Sequence, residues 1–466
     1  DPLLDQAATC SNLYDDGQSE VDASEDPSCY DDENSDKGRG LTMPDTTSTT
    51  KSTDTPQPKK APTANLILPA QLKLKRRFPT AQDLRARARK RLPNFAFEYV
   101  DGGAGADTGI ARNWNAFNSI EMVPRYGRVV SPPPTDVELF GKSYSAPIGI
   151  APIGGPGTGF PGAETYFAKA AQAANVPYTL GVLSAITIEQ AAELAPDVLW
   201  LQLYRFANNE HKIGMDLVKR AEAAGVNALM LTWDSPVRTT RPREVKSGIM
   251  APFKLTNRLR LDAMTSPHWL FSMMRNGIPR FVSLQPYMNG KTSIEDSTKF
   301  IRAEGGGAFT WDEIARYRDA WKGPLLLKGV LHPADAERAV AAGIDGLVVT
   351  NHGGRQIDAL PASIDALPAI AAQVGGKAEI IVDSGVRSGV DVARAIALGA
   401  NAGFAGKAFL WSLGALGAAG PGHMIDLFKD DLSATLGQLG CYNVDELRSV
   451  KVRHLGAYTL ADFVDS

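Results

Sequence analysis

Eight short apolar runs, each followed by an amphipathic helical stretch, predict an α/β chain folded as a (β/α)8 TIM barrel. Three observations carry that expectation. The strand–helix rhythm continues from residue 146 to residue 407, the runs are apolar almost throughout, and ionisable residues repeatedly close them. An open, doubly wound sheet is the runner-up architecture.

The chain has 466 residues, and its first sixty differ from the rest. Residues 1–60 hold 14 Asp and Glu against 5 Lys and Arg, a net charge of −9. The remaining 44 bases and 38 acids give +6, so the whole chain carries −3. Residues 1–62, with stretches such as TTSTTKSTDTPQPKK, lack apolar periodicity and read as a disordered acidic tail and linker. The folded domain, residues 63–466, is mildly basic, which suits a small anionic ligand. No global basic field argues for nucleic acid.

An N-terminal helical segment comes first, with TAQDLRARARKRL (80–92) opening on Thr80 as a candidate cap. The eight predicted strands are APIGIAP (146–152), PYTLG (177–181), LWLQLY (199–204), ALMLTWD (228–234), PLLLKGV (324–330), GLVVTNH (346–352), EIIVDSG (379–385) and AGFAGK (402–407). Helical patterns such as PGAETYFAKAAQAAN and ADAERAVAAG lie between them. One connection breaks the rhythm. From Asp234 to Lys328 there are 94 positions, which predicts a lid-like insertion, residues 245–310, after the fourth strand.

The longest uncharged run, Ser143 to Ala163, holds four Pro and six Gly and cannot span a bilayer as a helix. Of three cysteines, Cys10 and Cys29 fall in the tail, where a disulfide and two free thiols both stay open. Cys441 stands alone, and no Cys/His spacing suggests a metal. No Asn-x-Ser/Thr sequon is present, and a start at Asp1 is consistent with a removed leader.

In such a barrel the chemistry collects at the C-terminal ends of strands. Those ends carry Pro152, Gly181, Gln202 with Tyr204, Thr232 with Asp234, Lys328, His352, Asp383 and Lys407. His352 lies in TNHGGRQ, where two glycines turn the chain and bring Arg355 close. Facing Asp234, His352 would be a general base with its orienting carboxylate. The other five histidines read as structural. A buried Lys328 demands an anionic partner. The loops after the last two strands, DSGVR (383–387) and AGK (405–407), suit a phosphate. GGPGTGFPG (154–162) and GGAGAD (102–107) lack the context of phosphate or dinucleotide loops.

LPNFAFEYVDGGA (92–104), QLY (202–204), TWDSP (232–236), LLLKGV (325–330), TNHGGRQID (350–358) and DSGVRSGVDVARAIALGA (383–400) together resemble the FMN-dependent L-2-hydroxy acid oxidases and dehydrogenases. The resemblance covers residues 78–466 and is closest in pattern to the lactate 2-monooxygenase branch. It implies FMN as cofactor and His352 as the base, paired with Asp234. It implies Tyr99, Arg355 and Arg241 on the substrate carboxylate, Tyr204 on the substrate oxygen and Lys328 beside the flavin. Pro152, Ile153, Gly154, Gln202 and Thr232 would contact the ring. Asp383, Gly385, Arg387, Gly406 and Lys407 would serve the ribityl-phosphate end.

Three departures from the family pattern stand out. Lys407 replaces an arginine, Gly181 a serine and Leu183 an aromatic residue. The implied activity is oxidation of a lactate-like 2-hydroxy acid to the keto acid or its decarboxylated product, with O2 as acceptor. A dehydrogenase serving a quinone or cytochrome, and a flavin-binding protein without turnover, remain alternatives. Family members imply a homo-oligomer, tetrameric or larger. No haem module precedes the barrel, and FVDS is no peroxisomal tripeptide.

Overall fold

The computed structural model describes residues 69–463, except 129–130, 250–255 and 291–292. The acidic tail, with Cys10 and Cys29, lies outside the described residues.

Eight parallel strands close into a barrel: β1 (Ile148–Ile150), β2 (Tyr178–Gly181), β3 (Leu199–Leu203), β4 (Ala228–Thr232), β5 (Leu325–Val330), β6 (Gly346–Val349), β7 (Glu379–Val382) and β8 (Ala402–Ala405). Each pairs with its neighbour in chain order, and β8 pairs with β1, which excludes the open sheet. Nearly every strand residue is buried, because the barrel interior covers one face and the helices the other. Six of the eight strands stop one to three residues short of the apolar runs that predict them, while β2 and β5 end with theirs. Asp234, His352, Asp383 and Lys407 therefore stand just beyond the ladder, on the rim, where their polar groups escape burial among aliphatic side chains.

Lys328 is the exception, lying inside β5. The register shifts between Lys328 and Val330, and Gly329 adopts φ +114°. A Cβ at Gly329 would come within 2.4 Å of the Asp234 Cβ, so glycine lets β5 and the Asp234 loop touch.

Among the described residues, four helices precede the barrel. Thr80 caps Ala81–Arg91 in a full capping box, accepting from the Asp83 amide at 3.2 Å while its own amide donates to the Asp83 carboxylate at 3.1 Å. The hairpin Val137–Leu139/Lys142–Tyr144 contributes Phe140 and Tyr144, whose rings pack edge-on against Trp200 in the barrel.

The long segment after β4 is helical in pieces: Pro242–Ser247, Asn257–Met264, Pro267–Asn276 and Ile294–Glu304. Directed hydrogen bonds fasten it to the rim. Trp269 Nε1 donates to the Gly159 carbonyl at 3.1 Å and Ser272 Oγ to that of Pro161 at 2.8 Å. Asp262 accepts the amides of Asn94 and Phe95 at 2.9 and 3.0 Å, capping the helix Asn94–Asp101 from 168 and 167 residues away. Among the described residues no helix is long and apolar enough to cross a membrane.

Candidate active site

The rim encloses a cavity of about 1090 Å³, with the strand ends on one side and Trp269, Met273 and Phe281 of the insertion on the other. That is the upper end of ligand-pocket sizes.

His352 sits at the end of β6 with φ +60°, followed by Gly353 and Gly354 at +68° and +71°. This left-handed run turns the imidazole into the cavity. Its Nδ1 lies 3.0 and 3.2 Å from the two carboxylate oxygens of Asp234. Burial pushes the Asp234 carboxyl up, but His352 and Lys328 outweigh it and hold the group below its usual range. Burial likewise pulls His352 down, with Asp234 opposing and Lys328 reinforcing, so the ring is neutral near pH 7. A neutral ring donating from Nδ1 to Asp234 presents an Nε2 lone pair, as a base must. Gln356 Nε2 donates to the Asp234 carbonyl at 2.6 Å and fixes that loop.

Arg355 and Arg241 line the same cavity. Arg355 Nη2 meets Glu244 Oε1 at 2.5 Å, and Arg241 Nη1 reaches the same oxygen at 3.4 Å. Arg355 Nη1 donates to the Tyr99 and Gly102 carbonyls at 2.9 and 3.1 Å, and its Cζ stands 5.3 Å over the Tyr99 ring. The Tyr99 hydroxyl donates to the Gly154 carbonyl. Burial lifts the Tyr99 phenol to about 12 and raises Tyr204 too, so both stay protonated.

Lys328 is 3% exposed and pairs with Asp383 at 3.3 Å, the anionic partner its burial demanded. Burial opposes its charge, yet Asp383 and Asp234 hold the ammonium above its usual range. Asp383 Oδ1 also accepts from the Thr350 hydroxyl and from Ser384 Oγ, the latter at 2.8 Å.

Farther along, Arg387 lies between aromatic faces, 4.3 Å from the Trp114 ring and 5.7 Å from that of Trp411. Burial draws it down to about 10. Its Nη1 donates to the Gly385 carbonyl at 2.6 Å, but its buried Nε has no partner among the described residues. Gly406 begins the helix Lys407–Leu416, whose first amides lack acceptors within the helix. A buried guanidinium with a free donor beside a helix N-terminus fits a phosphate.

Pro152, Ile153, Gly154, Tyr204, Gly385, Gly406 and Lys407 line the cavity as well. Gln202, Thr232 and Asp234 do not. Gln202 Nε2 donates to Thr232 Oγ1 at 2.7 Å, forming a buried polar layer behind the wall, and Asp234 stands behind His352. Gly181 also stands behind the wall, where a Cβ would meet the Ile153 carbonyl at 2.9 Å. A serine there, as in the family pattern, would require the Ile153 backbone to shift. Leu183 does line the cavity. Glu244 and Gln356 had no role in the sequence reading. Gln356 lies in TNHGGRQID and Glu244 closes RPRE (241–244), and a buried arginine pair asks for a carboxylate.

A family model described as FMN-dependent dehydrogenase matches residues 88–454. The chain belongs to that family. This FMN-dependent dehydrogenase is therefore an oxidoreductase with FMN as cofactor, and the free donor of Arg387 fits that group's phosphate. It is 37% identical to an L-lactate dehydrogenase of Ectopseudomonas mendocina over 368 residues, covering 79% of this chain and 96% of that one. An L-lactate dehydrogenase of Haemophilus influenzae is also 37% identical, over 77% and 93% of the two chains. Among solved structures, the monotopic membrane protein (S)-mandelate dehydrogenase superposes with a TM-score of 0.75 at 31% identity, covering 80% and 98%. Mandelate oxidase with (S)-4-hydroxymandelic acid gives 0.70 at 31% identity, covering 81% and 99%.

Proposed function

We propose that this FMN-dependent dehydrogenase oxidises a small, lactate-like L-2-hydroxy acid at C2 to the 2-keto acid, with O2 as electron acceptor. One observation carries the reading: His352, held by Asp234 at 3.0 Å, shares its cavity with the guanidinium pair Arg355 and Arg241. Two guanidinium charges against the single carboxylate of Glu244 leave one net positive charge, matched to one substrate carboxylate. Tyr99 completes that clamp, and the Tyr204 hydroxyl bonds the substrate oxygen. His352 Nε2 takes the hydroxyl proton, and Asp234 stabilises the imidazolium that forms.

Bound FMN would supply the acceptor for the C2 hydrogen and its electron pair. Pro152, Ile153 and Gly154 would lie along its ring, with Gln202 and Thr232 supporting the wall behind. Lys328, kept cationic, would stabilise negative charge at the ring. Asp383, Gly385, Arg387 and Gly406 would hold the ribityl-phosphate end.

Reduction of O2 by two electrons and two protons gives hydrogen peroxide. The insertion over the cavity favours keeping that peroxide beside the keto acid. Their reaction yields the carboxylic acid one carbon shorter, CO2 and water. A second reading is a dehydrogenase passing electrons to a quinone or cytochrome; the relatives' names support the word dehydrogenase and specify no acceptor.

An anaerobic absorbance spectrum with L-lactate tests the core of the reading: the flavin bands should bleach. A flavin that stays oxidised with lactate and other small L-2-hydroxy acids overturns it. Admitting oxygen then separates acceptors. Rapid reoxidation with acetate as product supports internal decarboxylation, whereas free peroxide equal to free pyruvate refutes it. Slow reoxidation by O2 with fast reoxidation by a quinone establishes the second reading.

A further inference from the structure

Lys407 lies deep in the cavity wall at the phosphate end. Burial, reinforced by Arg355 and Arg387, draws its amine well below the usual lysine range, and Asp101 opposes that. Protonated, it has three N–H donors, and each finds a carbonyl. Nζ donates to the carbonyls of Val100, Asp101 and Gly102 at 3.3, 3.0 and 2.7 Å. Those carbonyls end the helix Asn94–Asp101, where acceptors lack partners within the helix and a cation is favourable. The Gly102 oxygen also accepts from Arg355 Nη1 at 3.1 Å, so one atom joins Lys407 to the carboxylate clamp. Tyr99 belongs to the same last turn, and its carbonyl accepts from Arg355 as well. Arg387, by contrast, keeps a buried Nε without a partner.

We infer that Lys407 is a positioning residue for the substrate clamp, anchoring the helix end that carries Tyr99 and orients Arg355, while Arg387 serves the phosphate. The clamp function rests on the proposed hydroxy-acid reading; the anchoring does not. A phosphate bound by Lys407 would cost at least one of its carbonyl bonds, whereas Arg387 has a donor to give. The arginine of the family pattern, a planar fork, would not fill this three-carbonyl seat as a compact ammonium does.

The test compares Lys407→Met and Lys407→Arg with the wild-type holoenzyme by three measurements. These are FMN affinity from flavin fluorescence, affinity for oxalate from the flavin spectrum, and amide hydrogen exchange over residues 99–104. Both variants should bind oxalate about tenfold more weakly, with KM for lactate rising more than kcat falls, while FMN affinity stays within about threefold. Exchange over 99–104 should accelerate about tenfold or more in Lys407→Met. Loss of FMN from both variants overturns the inference, as does tighter FMN in Lys407→Arg with oxalate binding unchanged. Exchange that stays at the wild-type rate overturns it as well. A wild type that ignores hydroxy acids while exchange still accelerates in Lys407→Met would sink the hydroxy-acid reading alone.

Discussion

The two ends of the cavity each carry two basic side chains, and these are partnered in opposite ways. At the His352 end, Arg355 and Arg241 share the carboxylate of Glu244. At the other end, Arg387 rests on aromatic faces and a carbonyl, and Lys407 on three carbonyls, with no carboxylate in direct contact with either side chain. A ligand anion at the first end must share its cations with a resident anion, so binding is reversible and selective. An anion at the second end meets an unsatisfied donor in a desolvated site, where charge-assisted bonds are strong. That asymmetry suits a substrate that turns over and a cofactor that stays.

Perturbing the chemistry itself should have the largest effect. His352→Gln keeps an amide near the seat of the ring but removes the base, and kcat for the hydroxy acid should fall by about 10³–10⁴. Flavin content should not change. Asp234→Asn should lower kcat by about 10²–10³ and move the acid limb of kcat/KM to lower pH, because Asp234 opposes the burial that depresses His352. The sign is definite: the base works when neutral, and its pKa lies below the usual 6.5, so wild-type activity persists below that pH and declines as pH falls through the folded value.

A crossed pair of variants tests the division of labour. Arg387→Met should weaken FMN by about 10² while the reconstituted enzyme keeps its KM. Arg355→Met should raise KM by a similar factor and leave FMN bound. Equal effects of either change on both ligands would erase the distinction. The smallest shift comes from Glu244→Gln, which frees one positive charge. Oxalate affinity should rise about three- to tenfold, and discrimination against hydroxy acids with a second carboxylate should narrow, as steady-state kinetics would reveal.

The barrel was legible because a strand covered on both faces must be apolar throughout, and such runs leave an unambiguous rhythm in the chain. The site was legible for a related reason: a lysine closing LLLK or a histidine closing VVTNH has no packing role to explain it. Partners were harder to foresee. Asp383 meets Lys328 across β5, β6 and β7, a distance measured around the barrel that sequence spacing does not encode. Glu244 reaches Arg355 across 111 positions because the helix Pro242–Ser247, in the segment after β4, folds back over the rim. Gln202 and Thr232 stood at the right strand ends, but their preference for each other depends on the register of β3 and β4.

The helix that carries Tyr99 is completed from both directions by residues made long after it. Its N-terminal cap, Asp262, follows by 168 residues, and the ammonium that closes its far end by 305. At roughly 5–20 residues per second of synthesis, the helix leaves the ribosome many seconds before either support exists. A nascent chain therefore owns its tyrosine early but gains a place for the hydroxy acid only when the last strand has emerged. A chain that stops before the last strand lacks the Lys407 anchor of the Tyr99 helix and cannot complete the cavity.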